Sequence, residues 1–149
     1  MKEFKKYYNL ENYIFNDVRK NFHKNKMLTD EEFFCIVIWK ANRAKSKIAK
    51  RIKSKYPEKS ISQIVKEISR FVYNQKNHKN RLKYLIKECG FYLPMATAIL
   101  TVLYPTEFTI YDRRVCDIIK KHKKLNNKTN FESIWSGYCK YVSDVKNIV

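Results

Sequence analysis

The chain has 149 residues, 44% of them hydrophobic, and its 32 lysines and arginines against 14 aspartates and glutamates give a net charge of +18. This length and apolar content suffice for one buried core and exclude an intrinsically disordered tail. The positive charge far exceeds what solubility requires. It indicates a polyanionic partner, and nucleic acid is the first candidate, although an A·T-rich genome would by itself enrich lysine.

The rare residue types exclude several classes of protein. Two glycines and three prolines are too few for glycine-rich phosphate loops or for an all-β fold. The cysteines are too widely spaced for a zinc or iron–sulfur motif, so we expect no metal, no cofactor and buried thiols in a reducing compartment. The longest apolar run, residues 33–39, is too short to span a membrane, and the chain start lacks a signal-peptide pattern; a cytoplasmic location is expected.

Helical periodicity runs from end to end and predicts an all-α fold, a compact single domain of seven to eight helices over residues 1–149. The first helix is predicted over residues 9–23. Thr29 and Glu32 form a capping box before a helix that is apolar nearly all round, which is the expected centre of the domain.

A strongly basic segment follows and is predicted as one helix over residues 40–55, which Pro57 ends. Ile48 and Ile52 supply a thin apolar stripe, and cations cover the rest of its surface. So many like charges repel one another unless an anion is near, although a solvated face in a lysine-rich protein is the alternative. The candidate phosphate-binding residues are Lys40, Arg43, Lys47, Lys50 and Arg51.

The second half of the chain is predicted to contain five more helices. Ser60 opens a helix whose buried face includes Phe71, and residues 74–80 form a loop. A helix over residues 81–89 ends at Gly90, and an apolar helix follows over residues 95–103. Residues 107–111 are extended or form a loop, and Asp112 caps a helix over residues 113–122. A further capping box at Thr129 opens the last helix.

Residues 90–119 resemble the helix-hairpin-helix base-excision DNA glycosylases. That family has a leucine-proline-glycine-x-glycine hairpin, then an apolar helix, then an apolar pair that ends in aspartate. The matching stretches here are Gly90-Phe91-Tyr92, Met95-Ala96-Thr97-Ala98-Ile99-Leu100, Phe108-Thr109-Ile110-Tyr111-Asp112 and Val115. The resemblance implies a glycosylase-like fold with a core of hairpin, helix and aspartate at about residues 81–122.

The resemblance also implies a function. In the family the hairpin backbone binds a DNA phosphate, often with a monovalent cation, which makes Gly90, Phe91 and Tyr92 candidate nucleic-acid contacts. The family aspartate that matches Asp112 supports base release, by stabilising positive charge on the sugar or by activating water. Pro94 stands where bifunctional members carry an imine-forming lysine, so a monofunctional DNA N-glycosylase without lyase activity is implied.

Alternatives remain for each candidate residue. Asp112 is a natural N-cap, and capping alone would explain it. Arg113 and Arg114 are candidates to hold phosphates beside an extruded nucleotide, or are solvated arginines at a helix start. A tyrosine near the site is a candidate to stack on an extruded base, with ordinary core packing as the alternative. These tyrosines are Tyr84, Tyr92, Tyr104 and Tyr111.

The sequence therefore predicts a DNA-binding, glycosylase-like protein whose partner is double-stranded DNA, at the nucleoid when bound. The competing prediction is a catalytically inactive nucleic-acid-binding or accessory module on the same scaffold, in phage defence or mobile-element biology. Tyr92 in place of the second hairpin glycine and the short chain favour this competitor. A metal nuclease is disfavoured, because no compact set of acidic and histidine ligands is present.

Overall fold

Helices supply all the regular secondary structure between residues 9 and 148, the part of the chain that the computed structural model describes. Residues 1–8, which include the chain start that lacks a signal-peptide pattern, and Val149 lie outside the described residues. The all-α prediction is confirmed. The helices are α1 (residues 10–25), α2 (Asp30–Lys40), α3 (Lys45–Lys55), α4 (Ile61–Asn74), α5 (residues 78–88), α6 (Leu93–Leu103), α7 (Arg113–Ile119) and α8 (Phe131–Ile148).

Two of these helices contain wider turns, and two short connections are 3-10 helical. The π-helical segment of α1 is Tyr13–Val18, and that of α5 is Tyr84–Glu88. The 3-10 turns are Asn42–Ala44 before α3 and Leu125–Asn127 before α8. The pattern of apolar spacing located both helices but does not distinguish a π turn from an α turn.

The most completely buried helix is α6, in which every residue except Pro94 and Thr101 is buried. It contacts α1, α2 and α5. Ala96 and Ala98 are fully buried, and such small side chains let neighbouring backbones approach closely. The helix α2, which the sequence predicts as the centre of the domain, also contributes buried residues to the core, but Trp39 at its end is only partly buried.

The helix ends show why the chain folds into these units. Thr29 Oγ1 accepts from the Glu32 N–H at 3.2 Å, and the Thr29 N–H donates to Glu32 Oε1 at 2.9 Å. This capping box is confirmed. Ser60 Oγ caps α4 by accepting from the Gln63 N–H at 3.2 Å, which is one half of the predicted capping box.

The predicted capping box at Thr129 was wrong in register. Asn130, rather than Thr129, caps α8, because its Oδ1 accepts from the Ser133 N–H at 3.1 Å. Glu132 does not reach back to the backbone; its carboxylate pairs with Lys79 at 2.7 Å. An asparagine one residue later thus competes successfully for the same role, since both residue types are good N-caps.

Several predicted boundaries and burials differ from the structure. Residues 40–55 do not form one helix, because Ala41 is extended (φ −156°, ψ 96°) and separates α2 from α3. The loop after α4 is shorter than predicted, since Asn77 caps α5 at His78. Phe71 is 46% exposed, and stacks on the Tyr84 ring at 4.0 Å instead of entering the core.

The cysteine and α7 predictions also need correction. Cys89 and Cys116 are buried as expected, but Cys139 is exposed and Cys35 is only partly buried. The helix α7 ends at Ile119 rather than near residue 122, because Lys120 adopts a left-handed conformation with φ 58°. Lysine is an uncommon residue for that conformation, so no glycine signal marks the end of the helix.

Tyrosine hydroxyls hold the segment that leads from α6 to α7. Tyr138 Oη accepts from the Thr109 N–H at 3.1 Å and donates to the Thr109 carbonyl at 2.5 Å. Tyr141 Oη accepts from the Asp112 N–H at 3.1 Å and donates to the Ile110 carbonyl at 2.8 Å. The two tyrosines are three residues apart on α8, so they share one face and give the segment the partners a strand would supply.

We expect Tyr138→Phe and Tyr141→Phe each to lower the free energy of unfolding by about 1–2 kcal/mol, because each leaves backbone groups without a partner. Urea unfolding followed by circular dichroism measures the change. Tyr92→Phe is the matched control, since Tyr92 is 67% exposed, and should change stability by less than about 0.5 kcal/mol. Equal stabilities for all four proteins would contradict the proposed role of these hydroxyls.

Candidate nucleic-acid interface

The helix α3 presents a cationic outer face. Ile48 and Ile52 are buried, and α3 contains no acidic residue. Lys47 and Lys50 are exposed, and neither forms an ion pair with any described residue. Their charges are therefore available to be neutralised by solvent ions or by an external anion.

The hairpin between α5 and α6 is a tight turn built on Gly90, which has φ +73° and lies just past the end of α5, as predicted. The Phe91 N–H donates to the Leu85 carbonyl at 3.0 Å, and the Phe91 side chain is only 3% exposed. Tyr92, in contrast, is 67% exposed. The turn therefore anchors one aromatic ring in the core and displays the next.

Arg51 joins the basic helix to the hairpin. Its Nη1 donates to the Gly90 carbonyl, and its guanidinium carbon lies 5.2 Å from the centre of the Tyr92 ring. A Cβ on Gly90 would lie 3.6 Å from Arg51 Cδ, an ordinary contact, so backbone conformation rather than space requires glycine here. We call the exposed cations of α3 together with residues 90–92 the basic hairpin surface.

One further ion pair and one buried thiol lie beside this junction. Lys55 on α3 is 4.0 Å from Glu88 at the end of α5. Burial raises the pKa of the Cys89 thiol to about 11. The thiol therefore stays protonated at neutral pH, which makes it a packing group rather than a nucleophile.

The remaining predicted phosphate contacts are on parts of the chain other than α3 and the hairpin. Lys40 is the half-buried last residue of α2, and Arg43 is exposed in the turn before α3. Arg113 and Arg114 are exposed in the first turn of α7. Within the described residues, no hydrogen bond or ion pair connects the side chain of any of these four to the hairpin.

Asp112 is the N-cap of α7, as predicted. Its Oδ1 accepts from the Arg114 N–H at 2.9 Å, and the residue is half-exposed. Its own N–H is held by Tyr141 Oη. The carboxylate is therefore fixed in position and accessible to solvent. This arrangement fits a helix cap and also fits a catalytic carboxylate, and the catalytic role stays a prediction.

The sequence did not reveal a paired histidine and aspartate near this segment. His122 Nε2 lies 2.6 Å from Asp144 Oδ2, and the His122 side chain is 14% exposed. His122 has φ 66°, and its carbonyl accepts from the Tyr111 hydroxyl. His122 lies on a loop and Asp144 on the distant helix α8. No short sequence motif contains both residues, so the periodicity of either segment could not predict the pair.

A cavity of about 670 Å³ lies between α1 and the end of α6, away from the predicted site. Neither Asp112 nor any residue of the hairpin lines it. Its lining residues are Asn16, Asp17, Arg19, Lys20, His23, Leu103, Tyr104, Pro105 and Thr106.

Among the described residues, no group of three or more histidine, cysteine, aspartate and glutamate side chains is arranged to hold a metal ion. None of the described helices is long and apolar enough to cross a membrane.

The His122 hydrogen bond lowers the pKa of Asp144 below 3.8, its ordinary value, and the charges of Lys121 and His122 act in the same direction. A lowered carboxyl pKa in the folded state stabilises the fold above pH 3.8, and this contribution disappears as the pH falls through the folded-state pKa. We therefore expect Asp144→Asn to be less stable than the unchanged protein at pH 7, and we expect this difference to shrink as the pH falls below 3.8 towards the folded-state pKa.

Chemical unfolding at several pH values measures this difference. Asp117→Asn is the control, because Asp117 is exposed and its Lys123 partner is 3.5 Å away, and exposed pairs of this kind contribute little. A stability difference for Asp144→Asn that is independent of pH would contradict the assignment.

Comparison of the chain with protein-family models, with curated proteins and with solved structures gave no significant match. The likeness of residues 90–119 to the helix-hairpin-helix glycosylases therefore stays a prediction from the sequence.

Proposed function

We propose that this protein binds double-stranded DNA through the basic hairpin surface. The observation that supports the proposal is the Arg51 contact with the Gly90 carbonyl and the Tyr92 ring. This contact brings together a cationic helix and a tight turn, each of which is suited to binding phosphate. The net charge of +18 acts in the same direction by attracting a polyanion.

The dimensions of α3 suit a duplex. An α-helix with its side chains is about 10–12 Å across, which matches a major groove about 12 Å wide, and the 11 residues of α3 give it a length of about 16 Å. Lys47 and Lys50 form no ion pair with any of the residues 9–148, so binding would release only small counterions from them and from the DNA. Contacts of this kind give affinity without sequence preference.

We expect the double variant Lys47→Gln/Lys50→Gln to weaken DNA binding and to reduce the slope of log K against log salt by about 2, because each lost phosphate contact removes about 0.9 from the slope. Fluorescence anisotropy with a labelled duplex at several salt concentrations measures both quantities. Substitution at exposed positions should leave the fold intact.

Lys140→Gln/Lys146→Gln is the matched control, since it removes the same charge from exposed positions on α8. Its salt slope should stay close to that of the unchanged protein. Equal loss of slope in both double variants would show that only the total charge matters and would reject a localised surface.

A second candidate function, base excision, is favoured by the position of Asp112. Its solvent-accessible carboxylate accepts from the Arg114 backbone N–H, and its own backbone N–H donates to Tyr141 Oη. Fixed carboxylates can stabilise developing positive charge. No cofactor is invoked, and Pro94 carries no amine for an imine. The competing proposal is a non-catalytic DNA-binding module, which needs only the basic hairpin surface.

Base release from duplexes that carry uracil, alkylated purines, 8-oxoguanine, A·G mismatches or modified phage bases distinguishes these candidates. For a glycosylase we expect strand cleavage only after alkali, and at least a 100-fold slower release with Asp112→Asn. Asparagine is also a good N-cap, so this variant keeps the fold and the DNA affinity. Unchanged release by Asp112→Asn would remove Asp112 from the mechanism, and DNA binding without release would favour the non-catalytic module.

A further inference from the structure

Tyr92 is a large aromatic side chain on the surface. Phe71, another exposed aromatic, is 46% exposed and stacks on Tyr84, whereas Tyr92 is 67% exposed and contacts the guanidinium of Arg51. Exposing an aromatic ring to water forgoes the free energy of its burial.

Tyr92 also stands where a different residue would stabilise the fold better. It is the N-cap residue of α6 and makes no side-chain capping hydrogen bond. Serine, threonine, aspartate and asparagine are strongly preferred at this position because they bind a free N–H of the first turn. Neither burial nor capping therefore explains a tyrosine here.

The backbone on both sides fixes the direction of the ring. Phe91 and Leu93 are each 3% exposed, so the chain is anchored in the core immediately before and after Tyr92. Arg51 holds the preceding turn through the Gly90 carbonyl and lies over the Tyr92 ring. The ring is thus held in place before any ligand arrives, which reduces the entropy lost on binding.

A ring with a guanidinium over one face and 67% of its residue exposed offers its other face to a flat aromatic ligand. Nucleic-acid bases stack on aromatic side chains in this way, and neighbouring cations hold the adjacent phosphates. Lys47, Lys50 and Arg51 supply cations on the same surface. Inside an intact duplex each base face is already covered by its neighbour, so only an unpaired base can use the ring.

We propose that Tyr92 is a stacking platform for an unpaired DNA base, so that the protein prefers duplexes with a bulged or gapped site to intact duplexes. This inference rests on the proposed DNA binding by the basic hairpin surface. It adds to that function the structural class of DNA that is recognised, which phosphate contacts alone cannot select.

The test compares the affinities for an intact duplex and for duplexes of the same sequence with a one-base bulge or a short gap. Fluorescence anisotropy of the unchanged protein should show binding to the bulged or gapped DNA that is about 5- to 100-fold tighter. Tyr92→Phe should keep this ratio. Tyr92→Ser should abolish it while preserving the fold, because serine restores a good N-cap. Phe71→Ala is the control at another exposed aromatic residue and should keep the ratio.

The outcomes distinguish failure of the stacking inference from failure of the proposed DNA binding. If the unchanged protein binds all three DNAs equally with a steep salt dependence, the stacking inference is wrong and the proposed function stands. If Tyr92→Ser keeps the preference, the platform is elsewhere and the inference is also wrong. If no DNA is bound in a salt-dependent manner, the proposed function fails and the inference fails with it.

Discussion

Burial of α6 is the constraint on which the rest of the structure depends. Nearly every side chain of this helix is removed from water, so neighbouring elements must cover it on all sides. The extended segment that follows lies against it, where water cannot satisfy all of its backbone groups. Thr97 on α6 accepts from the Tyr111 N–H at 2.9 Å, and two tyrosine hydroxyls on α8 bind the neighbouring residues. Polar side chains on α6 and α8 thus replace a strand partner and fix the backbone that carries Asp112.

The same burial determines where the candidate interface forms. The first residues of α6 are anchored in the core, so the turn before it is held at the surface with Phe91 inward and Tyr92 outward. The helix α3 faces the core through a narrow stripe of two isoleucines, which leaves its cations in solvent. Arg51 connects the two elements through one hydrogen bond and one ring contact. A surface made in this way combines a turn anchored in the core with exposed cations along the helix, a combination that suits the proposed binding of phosphate and base.

Local features could be predicted from the sequence, and contacts between distant segments could not. The capping box at Thr29, the turn at Gly90 and the N-cap at Asp112 follow from residue type and spacing alone, and all three are present. The break at Ala41 was missed because alanine is a good helix former and no local signal opposes it. The junction at Arg51 and the pair of His122 with Asp144 join residues far apart in sequence. Their partners depend on how helices pack, which periodicity does not specify.

The measurement that tests the central claim most directly is a map of backbone amide chemical shifts as a short DNA duplex is added to the isotope-labelled protein. The account predicts that the largest changes fall in Lys45–Lys55 and at residues 90–92. Small changes are expected along α1 and at the end of α8. Changes centred on the lysines at residues 120–124, or spread evenly over all exposed lysines, would contradict a DNA-binding surface formed by α3 and the hairpin.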